Sequence, residues 1–146
     1  ISKFYKLTSI IRITADCPLI DYRIINNMLK IFTQTKDKID YFSNTTPESS
    51  RTYPDGMDVE IFTKQALEKA NNLNLNAFEL EHVTPCFLNS KYNFISNKID
   101  LKRNLSYLHL SVDYQHNFDL VEKIVKELLV YKIDASLEEI INYFKL

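Results

Sequence analysis

The chain has 146 residues, 45% of them hydrophobic and 25% charged, which fits one globular domain, residues 1–146, with a sizeable core. Its 18 basic and 19 acidic residues leave a net charge of -1, which excludes a general positive field for nucleic acid or anionic lipid. Two cysteines are too few for a disulfide framework, and no apolar run reaches the roughly 18 residues that cross a bilayer. We therefore expect free buried thiols, no nucleic-acid or membrane partner, and a cytoplasmic location.

The first part of the chain predicts a strand, a helix and a second strand. Residues 9–14 are rich in β-branched side chains and suit a buried strand, which Pro18 prevents from continuing. Asp21 is a plausible N-cap for an amphipathic helix of about three turns. Residues 40–44 suggest a short second strand. The helix has apolar residues at helical spacing, namely Ile24, Ile25, Met28, Leu29 and Phe32.

The stretch YPDGMDVEIF predicts a tight turn followed by a third strand. Gly56 can adopt the positive φ that the Pro-Asp-Gly turn needs, and strict alternation then places Asp58 and Glu60 on one face of the strand. Thr63 can cap the next helix. A further helix is expected over 78–88, with Pro85 in its first turn or at a kink.

The second half predicts two more strands and two helices. Residues 93–100 read as a strand, and in 107–113 Tyr107, His109, Ser111 and Asp113 share one face of another, opposite Leu108, Leu110 and Val112. The last helix begins at Ser136, with Glu139 completing a capping box. Such alternation of strands and helices predicts an α/β layered fold. The helix that precedes the last one has apolar residues along its inner face, namely Phe118, Val121, Ile124, Val125 and Leu128.

Two aspartates directly follow apolar strands and precede helices. If the strands that end near Asp16 and Asp113 are neighbours, the two carboxylates meet at one edge of the sheet. Two facing carboxylates repel each other unless a proton or a cation lies between them, and Mg²⁺ prefers such oxygen ligands. An aspartate in this position is often only a helix N-cap, but Asp16 lies five residues before the better cap, Asp21.

Five motifs resemble a known family in their order along the chain: RITADCPLID, DYFSNT, RTYPDGMDVEIF, EHVTPCF and LHLSVD. They are similar to those of the spore-coat-polysaccharide type of cytidylyltransferase, which is related to the synthetases of CMP-ketodeoxyoctulosonate and CMP-sialic acid. The resemblance implies a three-layer α/β/α sandwich with the nucleotide-diphosphosugar-transferase fold. It also implies transfer of CMP from CTP to a sugar for a cell-surface polysaccharide, with Mg²⁺ and release of pyrophosphate.

The resemblance also implies roles for particular residues. Asp16 and Asp113 would be the catalytic, magnesium-binding aspartates. Other residues of the matched motifs are candidates for substrate binding, namely Arg51, Tyr53, Asp58, Glu60, Glu81 and His82. Several of these residues also have an alternative without a role in substrate binding. A loop arginine is often solvated, and Asp58 and Glu60 could face water. A lone histidine is more often a local hydrogen-bonding residue. His109 could support Asp113 from the same strand face.

The chain departs from the family in two ways. Tyr114, Gln115, His116 and Asn117 replace the usual Thr-Pro-Glu-Asp, which predicts a weaker helix cap and altered surroundings for the metal. The family's upstream strand and its Gly-, Arg- and Lys-containing CTP loop are not in this sequence. The resemblance therefore implies the carboxyl-terminal, sugar- and metal-binding part of an enzyme, inactive by itself, with a homodimer left open.

Two other functions stay open at this point. A nucleotide-sugar glycosyltransferase would need a close acidic pair on one strand, for which Asp58 and Glu60 give only an approximate match, D-V-E. A non-catalytic remnant or assembly module would use an unpaired sheet edge to bind another chain.

Overall fold

The structure is a computed structural model that describes residues 4–35, 38–128 and 134–144. Strands and helices alternate along much of the chain, as the sequence predicts, and the fold is mixed α/β. The elements in chain order are β1 (Ser9–Arg12), α1 (Tyr22–Thr35), β2 (Tyr41–Ser43), β3 (Glu60–Thr63), α2 (Lys64–Asn71), α3 (Ala77–His82), β4 (Ser96–Lys98), α4 (Gln115–Leu128) and α5 (Leu137–Phe144).

The described strands form one four-stranded sheet in the order β1-β3-β2-β4. Strand β3 pairs antiparallel with β1 and with β2, and β2 pairs parallel with β4. In this register Tyr41 lies opposite Phe62, and Phe42 lies opposite Ile61. Neighbouring strands therefore present matching side chains to each face of the sheet.

The predicted strand over 107–113 is wrong. This segment makes only an isolated parallel bridge, between His109 and Asp55. The amide of Asp55 donates to the Leu108 carbonyl at 3.0 Å, and the amide of Leu110 donates to the Asp55 carbonyl at 2.8 Å. Its partner is a turn and not a strand, so the alternating segment has no neighbouring strand with which to form a ladder.

Two apolar clusters lie on opposite faces of the sheet, because successive side chains of a strand point to opposite sides. Phe42 and Ile61 belong to the larger cluster, which includes Met28 and Phe32 of α1, Ile124 of α4 and Ile140 of α5. Tyr41 and Phe62 belong to the smaller one, with Ala66, Ala70, Cys86, Phe87 and Tyr92. Helical segments therefore cover both faces of the sheet.

The helix predicted over 78–88 is too long. Helix α3 ends at His82, where Val83 takes a φ of 68°, and Pro85 opens a separate 3₁₀ turn, Pro85–Phe87. A residue with a positive φ cannot continue a right-handed helix, and proline cannot donate the hydrogen bond that would extend it.

The buried face of α4 is narrower than predicted. Val121 and Ile124 are buried, but Phe118 and Val125 are 48% and 41% exposed. The helix therefore packs against the core along only part of its apolar stripe.

The structure describes both cysteines and the lengths of the helices. Cys17 and Cys86 are free and buried, as predicted. Among the described residues, no helix combines the length and the apolar character that crossing a bilayer requires.

Asp21 connects the starts of two helices that are far apart in sequence. Its Oδ1 accepts from the amide of Arg23 at 2.9 Å, which confirms the predicted cap of α1, and its Oδ2 accepts from the amide of Leu137 at 3.0 Å, at the start of α5. We expect Asp21→Ala to lower the free energy of unfolding by about 2 to 4 kcal/mol, since it removes a cap and leaves a buried amide unpaired.

Urea denaturation followed by circular dichroism measures this loss. Thr63→Ala is the matched control, because Thr63 caps only α2, through the amide of Ala66 at 3.0 Å. We expect that control to lose about 1 kcal/mol. Equal losses in the two variants would contradict the double role of Asp21.

Candidate functional site

The Pro-Asp-Gly turn docks closely on the segment 108–111. Gly56 has a φ of +90°, as predicted, and a Cβ added there would lie 2.4 Å from the carbonyl carbon of Leu110. The two backbone hydrogen bonds of Asp55 hold the turn against this segment. Only glycine allows both the backbone conformation and the close approach. The turn therefore places Asp55 beside Ser111.

A backbone hydrogen bond joins the segments that contain Asp16 and Asp113. The amide of Val112 donates to the carbonyl of Asp16 at 2.8 Å, so Asp113 is the next residue after this contact. The prediction that two neighbouring strands achieve this is wrong, because only the strand before Asp16 is in the sheet. Both aspartates are exposed. The Thr14 hydroxyl lowers the pKa of Asp16, outweighing the effect of its partial burial, so this carboxylate is ionised at neutral pH.

Ser111 lies between two carboxylates. Its hydroxyl is 2.9 Å from Oδ2 of Asp55 and 2.7 Å from Oδ2 of Asp113, and the residue is only 3% exposed. Nδ1 of His109 is 3.6 Å from Oδ2 of Asp55. The sequence analysis did not identify Asp55 and Ser111 as site residues, because the pattern around Asp55 predicts only a turn. The available signal was the shared face of His109, Ser111 and Asp113.

Arg51 binds the loop to which it belongs. Its Nε donates to the Tyr53 carbonyl and its Nη2 to the Pro54 carbonyl, each at 3.1 Å. Nη2 also pairs with Asp55 at 3.2 Å and with Asp58. The side chain is only 13% exposed, so it is not the solvated loop arginine of the alternative. These donors fix the Pro-Asp-Gly turn instead of facing an external phosphate.

Asp58 and Glu60 do not share a strand face, which corrects the prediction. Strand β3 begins at Glu60, so Asp58 precedes it and pairs with Arg51. Glu60 is buried, and it accepts from the Tyr41 hydroxyl at 2.5 Å and from Arg12. It therefore neither faces water nor lies open to a sugar.

The remaining predicted residues contact other parts of the chain. Tyr53 is 4% exposed and packs in the larger core cluster. Glu81 and His82 lie at the end of α3, where both are exposed and the His82 ring contacts Phe78 at 4.5 Å between centroids. The structure thus places the backbone of Asp16 beside Val112, and the Ser111 hydroxyl links the carboxylates of Asp55 and Asp113.

The carboxyl group of Asp58 has a raised pKa. Burial raises its pKa to about 6, against the lowering effect of Arg51, and the charges of Asp55, Glu60 and Asp16 add to the rise. A carboxyl whose pKa is higher in the folded state than its ordinary 3.8 stabilises the fold at low pH, and this contribution is lost as the pH rises through the higher value. We expect the free energy of unfolding, relative to Asp58→Asn, to fall between about pH 4 and pH 6.

Urea titrations of both proteins at intervals across this range measure the difference. Asp119→Asn, on the exposed surface of α4, controls for the loss of one carboxylate and is expected to follow the wild type. A wild type that gained stability over Asp58→Asn as the pH rose would contradict the assignment.

A cavity of about 370 Å³ opens beside Asp113, lined by Asp55, His109, Asp113, Tyr114, His116 and Asn117. The rings of Tyr114 and His116 stack with centroids 5.7 Å apart. Oδ1 of Asn117 accepts from the amide of Tyr114 at 3.1 Å, so the start of α4 keeps a side-chain cap despite the altered motif. Imidazole, phenol and carboxylate groups in one cavity can hydrogen-bond a polyhydroxylated ligand.

The carboxylates of Asp16 and Asp113 are oxygen donors of the kind that Mg²⁺ prefers. Within the described ranges, no group of three or more His, Cys, Asp or Glu side chains is arranged to hold a metal by itself. Mg²⁺ is commonly bound by one or two carboxylates together with substrate phosphates and waters. Asp16 and Asp113 are exposed carboxylates of this kind, so they could bind Mg²⁺ together with a triphosphate.

The mixed α/β fold matches that of a nucleotide-transferring enzyme. The chain superposes on a solved cytidylyltransferase from Leptospira borgpetersenii serovar Hardjo-bovis with a TM-score of 0.85 and 28% sequence identity, over 99% of this chain and 60% of that chain. It is 29% identical over 140 residues to an uncharacterized protein of Methanocaldococcus jannaschii, covering 88% of this chain and 54% of that protein. The chain therefore spans about half the length of its curated relative. No protein-family model matches it.

Proposed function

We propose that this chain is the sugar- and metal-binding part of a cytidylyltransferase, which transfers CMP from CTP to a sugar for a cell-surface polysaccharide and releases pyrophosphate. The observation that carries the proposal is the hydrogen bond from the Val112 amide to the Asp16 carbonyl, which unites the two acidic motifs. The similarity to a cytidylyltransferase structure over 99% of the chain supports the same class.

Asp16 and Asp113 are the residues that would hold Mg²⁺. The metal, when bound, neutralises phosphate charge and polarises the α-phosphorus for in-line attack by a sugar hydroxyl. The protein's own task is to orient these groups and to bind the sugar. The cavity beside Asp113 is the proposed sugar site, where His109, Tyr114 and His116 offer hydrogen bonds to hydroxyl groups.

Further details extend this proposal. The two apolar clusters on opposite faces of the sheet support the three-layer α/β/α arrangement of the spore-coat-polysaccharide type. Glu81 and His82, exposed at the end of α3, are retained as contacts for the sugar or for a second subunit of a homodimer. Arg51 and Asp58 would act on the substrate only through the loop that they hold.

The cytoplasm, where CTP is made, is the proposed location.

The glycosyltransferase alternative is disfavoured by the geometry of its acidic pair. Such an enzyme would need both carboxylates open to one metal. Glu60 is buried against Tyr41 and Arg12, and Asp58 is paired with Arg51.

Pyrophosphate release tests the proposal. The protein expressed from its complete gene is incubated with CTP, Mg²⁺ and a panel of acidic and neutral sugars, and UDP-sugars are offered in parallel. We expect release that requires CTP, Mg²⁺ and one sugar of the panel. If the protein hydrolysed a UDP-sugar or transferred its sugar, and released no pyrophosphate from CTP, the proposal would be wrong and the glycosyltransferase hypothesis would replace it.

A further inference from the structure

The backbone on both sides of Ser111 is held by hydrogen bonds to other parts of the chain. On one side the Leu110 amide donates to the Asp55 carbonyl, and on the other the Val112 amide donates to the Asp16 carbonyl, both at 2.8 Å. Ser111 is therefore the residue at which the Pro-Asp-Gly turn and the end of the β1 segment meet. Its side chain is small and buried, so its hydroxyl has little freedom to move.

The hydroxyl of Ser111 faces two acceptors but has one proton. Oδ2 of Asp113 is at 2.7 Å and Oδ2 of Asp55 is at 2.9 Å. Asp55 already receives a charged donor, Nη2 of Arg51, at 3.2 Å. The two carboxylates therefore share the single proton in a three-centre hydrogen bond, of which the contact to Asp113 is the shorter.

We propose that Ser111 is a positioning residue for Asp113: it fixes the orientation of that carboxylate for metal binding, and Asp55 and Arg51 hold Ser111 in place. The inference rests on the proposed function, in which Asp113 is a magnesium ligand. An exposed aspartate has several rotamers, and a buried hydroxyl bonded to one of its oxygens leaves the other oxygen directed outward. Hydrogen-bond partners of metal ligands typically change metal affinity 10- to 100-fold when removed.

The test measures metal affinity directly, with Mn²⁺ as a paramagnetic stand-in for Mg²⁺ and CTP present. We expect Ser111→Ala to weaken Mn²⁺ binding by about 10-fold in electron paramagnetic resonance titrations. In the pyrophosphate assay, the Mg²⁺ concentration for half-maximal rate should rise by a similar factor, and saturating Mg²⁺ should restore most of kcat. Ser111→Thr keeps the hydroxyl and is expected to recover much of the affinity.

Two further variants keep the test decisive. Ser106→Ala removes a hydroxyl five residues before Ser111. Ser106 is not one of the hydrogen-bonded residues Arg51, Asp55, Ser111 and Asp113, so this variant should bind Mn²⁺ like the wild type. Asp55→Asn removes the charge of a partly exposed side chain that contacts Ser111. We expect it to weaken Mn²⁺ binding by about 3-fold, which is less than the effect of Ser111→Ala. Should Ser111→Ala fail to fold, Asp55→Asn and Ser111→Thr decide the question.

The outcomes separate this inference from the proposed function. A wild type that binds Mn²⁺ and releases pyrophosphate, with Ser111→Ala and Asp55→Asn within 2-fold of its affinity, overturns only the role of Ser111. A wild type that neither binds Mn²⁺ nor acts on CTP overturns the proposed function and this inference with it.

Discussion

Gly56→Ala is expected to lower the free energy of unfolding by about 3 to 5 kcal/mol. A non-glycine residue at a φ of +90° is strained by about 1 to 3 kcal/mol, and the added Cβ meets backbone atoms of Leu110 and Ser111 at 2.4 to 2.5 Å, which overpacks the contact by a similar amount. Backbone cannot move aside as a flexible side chain can. Chemical denaturation followed by tryptophan-independent signals, such as far-ultraviolet circular dichroism, measures the loss.

Asn93→Ala is the matched control for this substitution. Asn93 has a φ of 52° in an exposed turn, so alanine there meets a comparable backbone conformation without the close approach. We expect that control to cost about 1 kcal/mol. If both variants lost the same stability, the contact between the turn and Leu110 would not be what requires glycine.

Asp113→Asn is expected to reduce kcat/KM for pyrophosphate release more than about 100-fold, with little change in stability. The amide has the same shape and keeps an oxygen for Ser111, but it loses the charge that would attract Mg²⁺. Asp16→Asn should have a comparable effect. Steady-state rates at several Mg²⁺ concentrations, with urea denaturation in parallel, measure both quantities.

The double variant makes this prediction sharper. If both carboxylates bind one ion, their effects are not additive, and Asp16→Asn with Asp113→Asn should be scarcely worse than the more severe single variant. Asp119→Asn, on the exposed surface of α4, controls for net charge and should keep the wild-type rate. Losses that multiplied in the double variant would contradict a shared metal.

Local signals in the sequence predicted the helix starts well. Asp21 caps α1, Thr63 caps α2, and Ser136 with Glu139 forms a capping box at the start of α5, with bonds of 2.9 to 3.2 Å. The buried stripe of α1, led by Met28 and Phe32, also follows its 3.6-residue period. These features depend on residues within about one helical turn of each other, which sequence reasoning can assess.

Features that depend on contacts between distant segments could not be predicted from local patterns. The alternation over 107–113 predicts a strand, but a strand exists only where a partner strand lies beside it, and here the neighbour is a turn. Glu60 sits in a motif that suggests sugar binding, yet its register opposite Arg12 buries it in an ion pair. In each case, the outcome depended on a segment far away in the sequence, which the local pattern does not specify.

The candidate site shows the same division. The two acidic motifs, the glycine turn and the resemblance to a class of enzyme can all be recognised from the sequence. Only packing decided that the Val112 amide meets the Asp16 carbonyl and that Ser111 lies between Asp55 and Asp113. These contacts join segments far apart along the chain, and their distances follow from how the turn, the β1 segment and the start of α4 pack together, which no local spacing encodes.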